Sequence, residues 1–351
     1  MPLDQSPDAP GPIVPQDVAA PPPVKPHPPG YVEMGYVFAL VGALLFSIKA
    51  IAIKLAYGDT ATPVDAVTLL ALRMMMALPF YLVIGGLSVR DRRRSGTPLP
   101  PLRQAVCALL VGLLGYWFAS YTDFLGLEYI SAQFERLILF TYPLFVVVLG
   151  ALFFGLKMRL RAVLAILVSY LGLALIFGEK VNTLGPEVAI GAALILSAAI
   201  AFALYQLFAK PLIGAIGPRL FTCIAMSGAA LGAFAQFFLT HPLSALAVSD
   251  RVLLLSLLIA IGATVIPTFF LNAALHRISA QANATIGTLS PVMTIALAVL
   301  ILGETLTIVD VIGTVLVLAG VGWFTLADQA TRRKVDLQSD RPGRGEPGPS
   351  R

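Results

Sequence analysis

Residues 130–133 read Ile-Ser-Ala-Gln, and residues 278–281, 148 positions further on, read Ile-Ser-Ala-Gln again. The same offset pairs Leu127 with Leu275, Ile138 with Ile286, Pro143 with Pro291, Leu149 with Leu297, Gly155 with Gly303 and Gly172 with Gly320. One unbroken offset held across about 45 residues marks an internal duplication. The nature of the duplicated unit follows from the residues around it. Hydrophobic residues make up 58% of the 351 and charged ones 12%, about half the charged share of a soluble domain. Mean hydropathy is +0.86. So few charges cannot cover a water-facing surface, and most of the chain belongs in lipid.

A bilayer core needs about 20 apolar residues of helix. Ten segments meet that length: 34–57, 65–87, 102–122, 130–154, 160–178, 187–209, 218–239, 252–273, 279–302 and 307–327. Gly58-Asp59-Thr60, Arg90 to Pro101, Gly178-Glu179-Lys180 and Gly217-Pro218 mark the clearest breaks between them. The expected fold is an all-α integral membrane protein of ten transmembrane helices, built as two inverted five-helix repeats. The first repeat covers 34–178 and the second 179–327. Eleven prolines in residues 1–30 give 1–33 the composition of a disordered cytoplasmic tail, and 328–351 reads as a second, basic one. No secretory signal peptide precedes the first span. Five is an odd number, so the second copy must cross the membrane in the opposite sense to the first. Inverted repeats of this kind suit secondary transporters, because exchanging the conformations of the two halves exchanges outward and inward access.

Positive charge sets the orientation. With ten spans, 18 of the 24 Lys and Arg fall on the side shared by both termini, Lys180 and Arg251 fall on the other, and four lie within spans. Both termini are therefore expected in the cytoplasm. The net charge of +5 is then a topology signal and gives no reason to expect nucleic acid.

The paired five-helix units, the Ser-Ala-x-x-(x)n-Pro pattern opening helices 4 and 9, and Leu302-Gly303-Glu304-Thr305-Leu306 after helix 9 resemble the EamA family of the drug/metabolite transporter superfamily. The resemblance runs over roughly residues 35 to 327. It implies a carrier in a bacterial inner membrane that exports amino acids or other small metabolites. The first copy departs from the pattern, with Gly155-Leu156 where the second has Gly303-Glu304. A cap or ion pair made by Glu304 would have no counterpart there.

Charged residues inside a span cost about 2.5 to 3.5 kcal/mol at the centre on insertion scales, so they face cavities or partners. Those expected here are Lys49, Lys54, Arg73, Glu135 and Arg136. Lys54 lies near a helix end, where it can snorkel to the interface. Arg73, about 12 Å deep at helical rise, either pairs two helices or meets substrate. Gly42, Lys49, Ala52 and Ala56 share a small-residue face, which turns Lys49 into the bundle. Ser131, Glu135 and Tyr142 line one side of helix 4, matched by Ser279, Asn283 and Ser290 in helix 9. Both faces are read as lining one water-accessible path.

Glu135 is the candidate for proton coupling, with solvation or local pairing to Arg136 at the external mouth as the alternative. Lys49, Arg73, Trp117, Glu135, Arg136, Tyr142, Tyr205 and Asn283 form the expected substrate site, with Tyr116, Tyr121 and Gln206 as further wall residues. Pro143 and Pro291 are the expected hinges, unless they are static kinks. Cys107 and Cys223 read as small apolar side chains. No phosphate loop, zinc motif or nucleophile elbow occurs in the sequence, so no cofactor or metal is expected and an enzyme is the weaker class. A lipid or lipid-precursor flippase is the other alternative. The expected partners are a small-molecule substrate, membrane lipids and a coupling proton, with a homodimer left open.

Overall fold

A computed structural model describes residues 31–154, 160–275, 277, 286 and 289–339. The described chain is almost entirely helical. α1 spans Tyr31–Tyr57 and α2 spans Ala66–Arg94. α3 (Leu102–Gly112) runs through a π-helical segment, Leu113–Phe118, into α4 (Ala119–Tyr129). α5 (Ala132–Leu139) and α6 (Tyr142–Phe154) follow, then α7 (Leu160–Leu184), α8 (Glu187–Ile216) and α9 (Pro218–Thr240). α10 (Asp250–Leu257) passes through a second π-helical segment, Leu258–Val265, into α11 (Ile266–Leu275). α12 (Leu289–Leu297) ends in π-helical Ala298–Leu302, and α13 covers Ile308–Ser339.

Eight of these rods are long and apolar enough to cross a bilayer, and Leu289–Leu302 and Ile308–Trp323 are shorter apolar helices. The start of the ninth expected span, with Ser279 and Asn283, lies outside the described residues, as do 1–30 and 340–351.

Local chemistry explains the ends. Asp65 accepts hydrogen bonds from the Val67 and Thr68 amides at the start of α2 (2.7 and 2.9 Å). Ser131 and Ser249 do the same for α5 and α10. Pro218 opens α9 in the first turn, where its missing N–H is no loss. Several rods outrun the expected spans. No break occurs at Gly178-Glu179-Lys180: α7 continues to Leu184, and Gly185, at φ +94°, ends it. α13 likewise continues through residues 328–339, whose composition reads as a tail.

The fourth expected span is broken. α5 stops at Leu139 and α6 starts at Tyr142, with Phe140 and Thr141 between. Pro143 is therefore the second residue of a new helix and not an interior kink. Its ring sits where no intrahelical donor is needed.

The helices pair as α7 with α13, α2 with α9, α4 with α8, and α1 with α11. At the first of these contacts the backbones nearly touch. A Cβ on Gly172 would lie 2.6 Å from the Gly313 carbonyl, and one on Gly320 would lie 2.7 Å from the Ala165 carbonyl. Between them the Ser169 hydroxyl donates to the Val317 carbonyl at 3.4 Å. Lys180 and Asp310 close one end of the pair with a buried ion pair of 2.7 Å.

The largest core gathers small and branched residues, among them Ala50, Ile53, Leu70, Phe124, Ala229 and Ala260. Small residues let helices approach where lipid supplies no hydrophobic drive. Long apolar side chains such as Leu167, Leu171, Leu231 and Phe238 point outward.

At one end of the bundle, Asp59 accepts hydrogen bonds from the Ser249 hydroxyl and the Ala61 amide, tying the turn after α1 to the start of α10. Those donors, the Ser249 hydroxyl foremost, hold its carboxyl below the ordinary carboxylate range.

Replacing Gly172 or Gly313 with Val should wedge α7 from α13 and cost about 1 to 3 kcal/mol. Thermal unfolding of the purified variants checks this, and Gly178→Val, whose added Cβ meets nothing within 4 Å, is the neutral control.

Candidate functional site

The π-helical segments Leu113–Phe118 and Leu258–Val265 interrupt the third and eighth rods near their middles, and α4 leaves the first of them carrying Asp123. That residue is 1% exposed. Lys49, on the inward face of α1, donates to Asp123 Oδ2 at 2.6 Å. From the short α5, Glu135 turns its carboxyl toward Asp123, and the two acids are near neighbours. Glu135 is fully buried. The external, solvated position considered for it is thus not the one it occupies. Apart from each other's carboxyl, Asp123 Oδ1 and both Glu135 oxygens have no hydrogen-bond partner in the protein. Buried carboxylate oxygens without donors are costly and uncommon. Such oxygens can accept a proton, water or a cationic group.

Arg136, the next residue on α5, is committed to the framework. Its guanidinium donates to the Phe46 carbonyl at 2.7 Å and to Thr294 Oγ1 at 3.2 Å. Thr294 in turn donates to the Ser47 carbonyl (3.3 Å), and the Ser47 and Ser290 hydroxyls lie 3.0 Å apart. Helices α1, α5 and α12 are thereby stitched together beside the acids.

Arg73, buried on α2, donates from Nε to Thr264 Oγ1 at 3.2 Å and stands over the Phe124 ring at 5.5 Å. One of its terminal nitrogens has no partner. Lys54, expected to snorkel, instead donates to the Leu127 carbonyl at 2.9 Å. This covers a carbonyl at the end of α4 that helix geometry leaves free.

The fixed position of α5 depends on a residue far away in sequence. Glu304 accepts hydrogen bonds from the Ala132 amide (2.8 Å) and the Gln133 amide (3.3 Å), and Gln133 Nε2 donates to the Thr305 carbonyl. A carboxylate at a helix N-terminus satisfies orphan amides and matches the helix dipole. Gly303, at φ +68°, turns the chain so that Glu304 can reach. The glutamate missing from the first copy at Leu156 is therefore, in the second copy, the residue that anchors the helix bearing Glu135. Residues 155–159 lie outside the described residues.

The aromatic candidates separate into two groups. Tyr205 and Tyr116 are hydrogen-bonded at 3.1 Å with ring centroids 4.9 Å apart, and Phe202 stacks on Tyr205. With Gln206, Ala209, Lys210 and Ile213 they line a cleft of about 390 Å³. Tyr142 packs edge-on against Phe202 at 5.0 Å, joining the start of α6 to this cleft. Trp117 points elsewhere: its indole N–H donates to Gln236 at 2.8 Å, and its ring packs against Gly232.

The structure thus brings Lys49, Glu135 and Arg136 together, with Arg73 nearby, and groups Tyr142 with Tyr205. Trp117 belongs to neither set, and Asn283 is outside the described residues. Asp123 was missed because the third span was read as ending at residue 122, whereas the helix runs to Tyr129. A 28-residue rod from Leu102 leaves Asp123 more than a turn short of its end.

Removing one member of a buried ion pair strands the other charge, at a cost of about 3 to 5 kcal/mol. Lys49→Met and Asp123→Asn should each lower thermal stability by that order, and the double variant should recover most of the loss. Additive losses in the double variant would contradict the pairing.

The EamA-like transporter family matches residues 33–178 and, a second time, residues 189–326. The chain is 32% identical over 285 residues to a protein of Bacillus subtilis named "Uncharacterized transporter YcbK", covering 80% of this chain and 88% of that one. It is 24% identical over 296 residues to an "Uncharacterized transporter" of Clostridium kluyveri, covering 82% and 92%. A solved structure titled "Crystal structure of protein" shares the fold with a TM-score of 0.56 at 19% identity, covering 85% of this chain and 99% of that one. With apolar spanning helices and two family matches over most of its length, the chain is a multi-pass membrane protein that belongs to the EamA-like transporter family.

Proposed function

We propose that the protein is a secondary transporter that exports a small polar metabolite, such as an amino acid or organic anion, by alternating access between two inverted five-helix halves. The observation that carries this reading is the buried Lys49–Asp123–Glu135 cluster, in which Asp123 Oδ1 and both Glu135 oxygens have no partner beyond the facing carboxyl. Groups so costly to bury within a bundle are retained where they bind and release something.

The helix contacts support the two halves, 34–178 and 179–327. Under the 148-residue offset, the close approach of Gly172 to Gly313 becomes that of Gly320 to Ala165, and Ser169 bonds to Val317, its own counterpart. The pairing of α4 with α8 exchanges with that of α11 with α1, while α7 and α13 exchange with each other, as do α2 and α9. The π-helical segments Leu113–Phe118 and Leu258–Val265 also fall in corresponding spans. Two separate family matches fit the same division. The loop charges favour cytoplasmic termini in a bacterial inner membrane.

In this reading Glu135 carries the coupling proton. Protonated, it neighbours Asp123 without repulsion and leaves Lys49 on Asp123. A zwitterionic solute that sets its carboxylate on Lys49 and its ammonium beside the two acids would favour their ionised forms and displace the proton from Glu135. The break between α5 and α6, with Pro143 opening the second piece and Pro291 in the first turn of α12, lets the helix bearing Glu135 move against its continuation. Tyr142, Tyr205 and Arg73 would wall the path, with Trp117 and Arg136 holding helices in register around it and Asn283 as the counterpart of Glu135.

A thermal-shift screen of the purified protein against amino acids, organic acids, sugars and nucleosides identifies a ligand, which is then followed in proteoliposomes. Glu135→Gln is expected to keep solute exchange in the absence of a gradient and to lose accumulation driven by a pH gradient. Undiminished gradient-driven accumulation by that variant would overturn the coupling role.

A further inference from the structure

Arg90, Arg93 and Arg94 close α2, following the exposed stretch Phe80, Leu82, Val83 and Leu87. The cations of this run divide by face. Arg92 reaches across to the Ile216 carbonyl, and Asp91 accepts a hydrogen bond from Arg219 at 3.3 Å. That spends the one local acid on the side facing α8 and α9. Arg90, Arg93 and Arg94 lie four, seven and eight positions from Gly86, along one stripe. With Gly86 and Val89 they line a cleft of about 350 Å³. No ion pair to any of the three occurs among the described residues. Gly86 leaves open space beside the arginines, where an added Cβ would meet nothing within 4 Å.

We propose that this cleft binds the headgroup phosphate of an anionic phospholipid, with the acyl chains lying along Phe80, Val83 and Leu87. Guanidinium forks match phosphate oxygens in charge and geometry. A lipid is favoured over a free anion because the cationic cleft is continuous with an exposed apolar helix face, so a ligand charged at one end and apolar along its length satisfies both. Basic pockets at the membrane surface recognise anionic headgroups by this combination. Diffuse attraction between basic loops and an acidic leaflet would need no cleft, and the difference is testable at Gly86.

The full-length protein in detergent is titrated with phosphatidylglycerol, phosphatidylcholine or inorganic phosphate, and thermal unfolding is followed. Phosphatidylglycerol is expected to raise the transition temperature, and the other two to leave it unchanged. Gly86→Leu fills the cleft and keeps every charge, so it should weaken the apparent phosphatidylglycerol affinity about tenfold or more. The combined Arg90→Gln, Arg93→Gln and Arg94→Gln variant should do the same, and Arg103→Gln, outside the cleft, should not. A full phosphatidylglycerol response in Gly86→Leu would overturn the site in favour of diffuse charge. An equal response to inorganic phosphate would overturn the lipid assignment.

Discussion

The ion pair between Lys49 and Asp123 holds charge inside a bundle whose outer surface is hydrocarbon-like. Taking two charges out of water costs several kcal/mol each, and a contact of 2.6 Å repays it only if both helices stay in register. The surroundings meet that demand. Lys54 and Tyr57 reach from α1 to carbonyls at the far part of α4, fixing the same pair of helices a turn or two away. Arg136 and Thr294 hold α1 from the other side. Glu135 then enters a space where its neighbours are already set, and its charge state depends on what else is there.

A second constraint comes from the short helix α5. Eight residues make few internal hydrogen bonds, and such a helix alone would be marginal. Ser131 caps it locally, and Glu304 caps it from the other half of the chain. One carboxylate thus joins the two halves at the element that carries the proposed proton site. The first half has Leu156 at the matching position, which carries no carboxylate.

Much of this was legible in residues. Lys49 could be turned inward from the small residues sharing its face, and Arg73 and Glu135 from the cost of charge in lipid. The EamA resemblance rested on short motifs in a fixed order, and the family match bears it out. What escaped did so for physical reasons. Asp123 opens the stretch 123–129 that hydropathy places between two spans, while the structure continues α4 through it to Tyr129. Arg136 looked available for substrate because nothing local claims it, yet its partners, Phe46 and Thr294, come from distant helices. Trp117 is one position from Tyr116, and that single step around the π-helical segment sends it to α9 and not to the aromatic cleft. Helix identity is local and readable, whereas partner choice between helices is not.

The central claim is that solute and proton compete through the Lys49, Asp123 and Glu135 cluster. Its most direct test is proton release on ligand binding by the purified protein in weakly buffered detergent, followed with a pH-sensitive dye. The account predicts that adding a ligand found by screening releases protons in proportion to the ligand bound. Saturable binding with no proton released at any pH at which the ligand binds would contradict it.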